Sequence, residues 1–323
     1  GTMEFRRHED GGEGDLVRVN SQFIIGSDGC FSRVRQAMMR TSGFDFSQRF
    51  CHLQYKELHI RALPSDGSGG EPQGEQRARC PLRTDALHVW PRGEFLLLVL
   101  PNRDGSFAVT LFAPSAVFGS LSGAADVLGF FHEHFPEVVG WVGEAALAGD
   151  FLRHPVGTLL EIRCGPYHFG ERVLVMGDSA HAMLPFMGQG TNCAFEDCAV
   201  LLRLLEEHGH ALPAVLRDFT AARKANADAL ADLAAEHAGA LAARPRWLER
   251  AASALRLHLA QCGVRALRPL YERIAFSDEP YAACTTAEHE LQQRFALARS
   301  LALGGTLLAG GALLATRWCA RRS

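Results

Sequence analysis

Two short stretches combine residue types that could hold an anionic cofactor. In one, the apolar run 173–176 ends at Gly177-Asp178, and a loop with Pro185 and Gly188-Gln189-Gly190 leads to a helix expected to begin near Thr191. A glycine loop lets the backbone approach a ligand closely, and a helix N-terminus adds N–H donors and a partial positive charge, which is how α/β proteins hold an anionic cofactor. Asp178, Gly188, Gln189, Gly190, Thr191 and Asn192 are the candidate contacts here. In the other stretch, Phe23-Ile24-Ile25 enters Gly26-Ser27-Asp28-Gly29. Ser32 can cap the next helix, whose first turn carries Arg33 and Arg35. Each stretch also has an ordinary reading: a helix-capping aspartate, a glycine-rich turn or a surface Asp-Gly turn. His181 reads equally well as a satisfied structural histidine.

These residues need strands and helices to bring them together. Both apolar runs read as buried parallel strands. In the helix after Thr191, Ala194, Phe195, Cys198, Leu201, Leu202 and Leu205 recur at helical spacing, and Gly209 stands where a C-cap glycine would. Between the stretches, strands are expected over 50–63, 87–90, 94–100 and 106–112. Hairpin turns lie at 91–93 and 102–105, and 64–81 reads as a loop. A helix is expected over 127–134, stopped by Pro136, then a strand over 151–162. From Pro213 onward the pattern is helical, with further helices over 247–261 and 267–276. The expected fold class is α/β, with an α+β-type antiparallel sheet inserted between two parallel pieces that need each other to cover a sheet.

The 323 residues, 47% hydrophobic and 21% charged, suit a globular chain, and a net charge of −3 argues against a nucleic-acid partner. The nine cysteines include no C-x-x-C pair and imply neither a metal site nor a disulfide framework. No secretory signal opens the chain, since 1–14 is polar and charged. At the other end, 300–316 carries no charged residue. It is flanked by Arg299 on one side and Arg317, Trp318, Arg321 and Arg322 on the other, which predicts a membrane-inserted helix with interfacial anchors.

The strings FIIGSDGCFSRVR and VLVMGDSAHAMLPFMGQGTNCAFEDC together resemble the Asp-Gly and Gly-Asp motifs of the flavoprotein aromatic hydroxylases. Further similarity to one branch of that family lies in LHVWPRGEFLLLVLPNRDGSFAVTLFAP, PLYERIAFS and the C-terminal tail. The resemblance implies FAD as cofactor, NADPH as reductant, and oxygen inserted into a small aromatic amino acid by a flavin C4a-hydroperoxide. It implies a cofactor role for Asp28, Gly29 and Arg33, and a ribityl-binding role for Asp178. It places Phe186, Tyr271, His237 and Leu241 on the substrate side. It also implies attachment to the mitochondrial outer membrane, facing the cytosol. The implied layout is a partial FAD-binding domain over 1–45, a substrate sheet over 46–160, the flavin-contacting part over 161–212, helices over 213–295 and a membrane helix over 296–318.

The sequence departs from the family in two places. No strand followed by G-x-G-x-x-G is present, and Gly12-Glu13-Gly14 is rejected because it is charged and no strand is expected before it. The chain therefore reads as an incomplete FAD/NAD(P)-binding hydroxylase-like fold. The family also has Asn and Glu where His237 and Ala240 stand. Three readings stay open: a membrane-bound hydroxylase of that branch, a related flavin monooxygenase with another substrate, and an anchored module that does not bind FAD.

Overall fold

Ile24-Ile25 and Val173-Leu174-Val175 are too short and too apolar to stand alone, and they pair with each other. The computed structural model of the protein describes residues 2–9, 12–62, 81–242 and 247–297. In chain order its strands are β1 (Thr2–Glu9), β2 (Gly12–Asn20), β3 (Ile24–Gly26), β4 (Asp45–Ile60), β5 (His88–Arg92), β6 (Phe95–Pro101), β7 (Phe107–Pro114), β8 (Gly157–Gly165), β9 (His168–Phe169) and β10 (Val173–Val175). Its helices are α1 (Arg33–Met38), α2 (Ser115–Ser120), α3 (Ala124–His134), α4 (Pro136–Val142), α5 (Glu144–Arg153), α6 (Asp178–His181), α7 (Gly190–Glu207), α8 (Leu212–Ala242), α9 (Trp247–Gln261), α10 (Leu270–Phe276) and α11 (281–297). β10 lies parallel to β3, Val173 opposite Ile24, and antiparallel to β9. The β3–β10 pairing unites the two halves of the α/β layer.

The inserted sheet is antiparallel throughout, in the order β5-β6-β7-β4-β8. β4 is its longest strand. Its N-terminal half pairs with β8 and its C-terminal half with β7, with a register shift between Phe50 and Gln54 on the β8 side. Side chains alternate across the pleat, so the sheet has two unlike faces. Leu58, Ile60, Leu97, Val99, Val109 and Leu111 pack under α3–α5 with Phe131, Phe135 and Phe151, and at the edge of this core the buried Lys56 ammonium donates to the Phe151 carbonyl oxygen at 2.6 Å. Leu53, Leu96 and Phe112 face the other way, toward Phe186, Met187 and α8.

Several expectations change. Strand β4 begins at Asp45 rather than 50. Helix α3 begins at Ala124, and α4 and α5 follow it. Phe151 belongs to α5, where it sits one turn after Leu147, and the strand expected over 151–162 starts only at Gly157. Pro155 separates the two, because it cannot continue a helix. Gly12-Glu13-Gly14 does follow a strand, but an antiparallel one: it opens β2 of a hairpin. The buried stripe of α7 is Cys193, Asp197, Leu201 and Leu204, whereas Phe195 and Leu202 are exposed. A charged residue occupies the centre of that stripe, so hydrophobic spacing pointed to the wrong face. The expected loop 64–81 falls, apart from Pro81, outside the described residues, as does the expected membrane segment 300–316. Among the described residues no helix is long and apolar enough to cross a membrane.

Candidate functional site

The parallel pairing of β3 and β10 brings the turn after each strand to one end of the sheet. A cavity of about 660 Å³ opens there, lined from the first turn by Ser27 and Gly29 and from the second by Gly177, Asp178, Pro185, Gly188, Gly190 and Thr191. Gly177 has φ 57°, and a Cβ there would stand 3.3 Å from the Ala194 side chain, so this tight exit from β10 requires glycine. Gly188 is left-handed at φ 64° and has open space where a Cβ would point. Asp178 is exposed at the start of α6, and its carboxylate has no hydrogen-bond partner among the described residues.

Helix α7 meets the same cavity with its N-terminus. Its N-cap, Gln189, makes no side-chain cap, and no acidic residue occupies the first turn. The Gln189 Oε1 accepts instead from Asn192 Nδ2 at 2.9 Å. The opening N–H groups of an eighteen-residue helix are thus left for another acceptor. Gly29, Asp178, Gly188, Gly190 and Thr191 converge here. Gln189 is buried beneath the turn, and Asn192 is exposed beside it.

Asp28 and Arg33 do not line this cavity. They border a second one, about 650 Å³, with Ile25, Val34 and Met3. The Asp28 carboxylate accepts from the backbone N–H groups of Arg33 at 2.6 Å and Val34 at 3.4 Å, and from Ser179 Oγ at 3.1 Å. Partial burial opposes its charge, but the hydrogen bonds from Ser32, the Arg33 N–H and Ser179 hold it below the usual carboxylate range. Arg33 is exposed and bonds Gln36 at 3.0 Å. The arginine that joins the two motifs is Arg35, which is 2% exposed. Its guanidinium donates to the Ser179 carbonyl oxygen at 2.7 Å and the Cys30 carbonyl oxygen at 2.5 Å. The sequence showed Arg35 in the first turn of this helix but gave it no role. The available signal was its place one turn after the Ser32 cap, on the side of the helix that faces the sheet.

Beneath the cavity lies a network that sequence reading did not assemble. Asp197 accepts from the Gly177 N–H at 2.8 Å, pairs with His181 Nε2 at 2.7 Å and pairs with Arg223 Nε at 2.7 Å. Burial opposes the histidine's charge, yet the Asp197 hydrogen bond, aided by Cys193, raises its pKa well above the ordinary value. Burial likewise opposes ionisation of Asp197, and His181, the Gly177 N–H and Arg223 outweigh it and lower its pKa. His181, Cys193 and Asp197 place ligand-type atoms within 4.8 Å of one another. The Arg223 guanidinium already stands 3.3 Å from Cys193 Sγ, so a cation there would meet a fixed positive charge. The group functions as a structural ion network.

On the sheet side, the Phe186 ring lies 5.2 Å from that of Phe112, tilted by 52°, and the two belong to one apolar cluster. Tyr271, at the start of α10, is 46% exposed and lines neither of these cavities. Tyr281 is the tyrosine in the core beside Phe186, and burial raises its pKa. His237 is partly buried on α8, which lowers its pKa, while the side chains of Ala240 and Leu241 lie outside the described residues.

The residues present fit the ring and ribityl portion of FAD: an open carboxylate, a glycine-lined approach and an uncapped helix N-terminus share one cavity. Among the described residues we identify no holder for the adenosine end. A family model described as an FAD binding domain matches residues 138–234. The kynurenine 3-monooxygenase of Flavobacterium psychrophilum is 36% identical over 275 residues, 83% of this chain and 58% of that protein. The Anopheles gambiae enzyme of the same name is 38% identical over 220 residues, 68% of this chain and 43% of that protein. The chain thus spans about half the length of the curated relatives it matches. Two solved structures share the fold: 2-methyl-3-hydroxypyridine-5-carboxylic acid oxygenase, with a TM-score of 0.53, 22% identity and coverage of 71% of this chain and 57% of that one, and PqsL of Pseudomonas aeruginosa bound to 2-aminobenzoylacetate, with a TM-score of 0.54, 18% identity and coverage of 75% and 63%. Over the part of their length that it spans, the chain is thus similar to kynurenine 3-monooxygenases, and it shares the fold of flavin-dependent hydroxylases.

Proposed function

We propose that this chain forms the flavin-ring and substrate side of an FAD-dependent hydroxylase that converts L-kynurenine to 3-hydroxykynurenine, with NADPH as reductant. The observation that carries the reading is the single cavity where Asp178, Gly188 and the uncapped start of α7 meet. Bound FAD would supply the redox and oxygen-transfer chemistry. Asp178 would accept a hydrogen bond from a ribityl hydroxyl. The α7 N–H groups would favour negative charge on the reduced ring, because the helix dipole places partial positive charge there. Phe112 and Phe186 would exclude water and present an apolar surface to an aromatic ring.

The test is to purify the full chain with FAD, look for bound flavin by its visible absorbance, and measure NADPH oxidation with and without L-kynurenine. Flavin binding without kynurenine-stimulated oxidation overturns the substrate. Failure to bind flavin overturns the cofactor reading for this chain and favours the anchored module. A related hydroxylase with another aromatic substrate is the second reading, favoured by the partly buried His237, and a substrate panel separates it from the first. We further propose that 300–316, with its basic and aromatic collar, anchors the chain to the mitochondrial outer membrane facing the cytosol. Cell fractionation of the full chain beside a chain ending at residue 297 checks this, and equal membrane recovery would refute it.

A further inference from the structure

The sheet face turned toward Pro185 is graded. Strand register places Leu96, Phe112 and Tyr55 in one cross-strand row, and Leu98, Thr110 and Glu57 in the next. The first row is apolar and meets Phe186 through Phe112. The second presents a hydroxyl and a carboxylate. Rows two residues apart along a strand are separated by about 7 Å, comparable to the distance from ring to ammonium group in an aromatic amino acid.

Two cavities meet at this step. The inner one, about 330 Å³, reaches from Phe112 to Asp178 and Pro185. The outer one, about 530 Å³, reaches past His59 and His154. Tyr55, Glu57 and Thr110 belong to both and form the partition between them. The backbone of Glu57 is fixed by the β4–β7 pairing and by His154 Nδ1, which donates to its carbonyl oxygen at 2.8 Å. Its carboxylate has no hydrogen-bond or ion-pair partner among the described residues. Tyr55 is held against the sheet because Gly157 opposite leaves room for its ring: a Cβ at 157 would fall 2.3 Å from that ring. The partition thus rests on a rigid strand, with one charge aimed into the passage.

We propose that Glu57, flanked by Thr110, is a specificity residue that binds the α-ammonium group of an amino-acid substrate whose aromatic ring lies over Phe112. This rests on the hydroxylase reading above and adds what selects an amino acid over a plain aromatic acid. A carboxylate bound to an ammonium forms a charge-assisted hydrogen bond, and removing its charge weakens that contact without altering the ring site.

The test uses the full chain loaded with FAD and measures dissociation constants by calorimetry, for L-kynurenine and for its analogue lacking the α-amino group. Glu57→Gln is expected to weaken L-kynurenine at least tenfold and leave the desamino analogue within twofold. Glu57→Asp is expected to recover part of the loss. In turnover the loss is expected in KM, with kcat within twofold. If wild type binds L-kynurenine and Glu57→Gln binds it equally well, or loses both ligands alike, this inference fails alone. If wild type does not bind L-kynurenine, the substrate reading fails and takes this inference with it.

Discussion

The two strand–turn–helix units look alike in sequence and divide their acids differently. In the unit built on β3, the exposed Asp28 carboxylate is occupied by the α1 N-terminus and Ser179. In the unit built on β10, the structural duty falls to Asp197, which holds the Gly177 N–H, His181 and Arg223 from below. Asp178 is thereby released to face the cavity. The helix starts differ in the same way: Ser32 caps α1 through the Arg35 N–H at 2.9 Å, whereas α7 opens without a side-chain cap. A site for a ligand is made where the structural hydrogen bonds are supplied from elsewhere.

The largest effect should come from Asp197→Asn, which leaves Arg223 and His181 with an uncharged partner. We expect a loss of about 3–5 kcal/mol in denaturant-unfolding stability. A loss under 1 kcal/mol would mean that the second unit does not depend on Asp197. Asp28→Asn should cost about 1–2 kcal/mol through the weakened cap, with flavin affinity per folded molecule unchanged. A selective loss of flavin binding would restore a ligand role to Asp28 and erase the contrast. Asp178→Asn should change stability by less than about 0.5 kcal/mol, since nothing in the described fold leans on it. Its flavin dissociation constant should nevertheless rise about tenfold or more, as a charged acceptor gives way to a neutral one.

A further effect is a pH dependence. His181 is raised in the folded state from 6.5 to about 10. The stability it contributes is therefore complete below pH 6.5 and is lost as pH rises through its folded value. The stability difference between wild type and His181→Gln should narrow from pH 6 to pH 10, over whatever constant packing cost remains. A difference that widens with pH would reverse the assigned charge.

The sequence made the overall plan legible because β3, β10 and the hairpin strands β5–β7 carry strong local signals: apolar runs, alternation and turn residues. It also pointed to Gly188, Gly190 and Asp178, which line one cavity. It did not show the roles of Arg35, Asp197 or Arg223. Each is a charged residue in an interior defined only by tertiary contacts, and hydrophobic spacing treats such a residue as a gap. The same blindness turned α7 the wrong way, toward Phe195 and Leu202. Helices α4 and α5 were missed because glycines and short length weaken their periodicity. Arg33 was favoured over Arg35 because which of two nearby arginines points inward depends on where the β3–β10 sheet lies.

The Arg35 bond to Ser179 spans 144 residues of chain, and the Asp28 bond to Ser179 spans 151. Such contacts form slowly, since a long loop must close before any of them is gained. The sheet of β4–β8 lies wholly inside that loop and can assemble from its own neighbours first. The buried network is complete only once Arg223 has left the ribosome. A nascent chain is therefore expected to pair β4–β8 before the cavity at the ends of β3 and β10 takes shape, with one face of that sheet still waiting for Phe186, Met187 and α8.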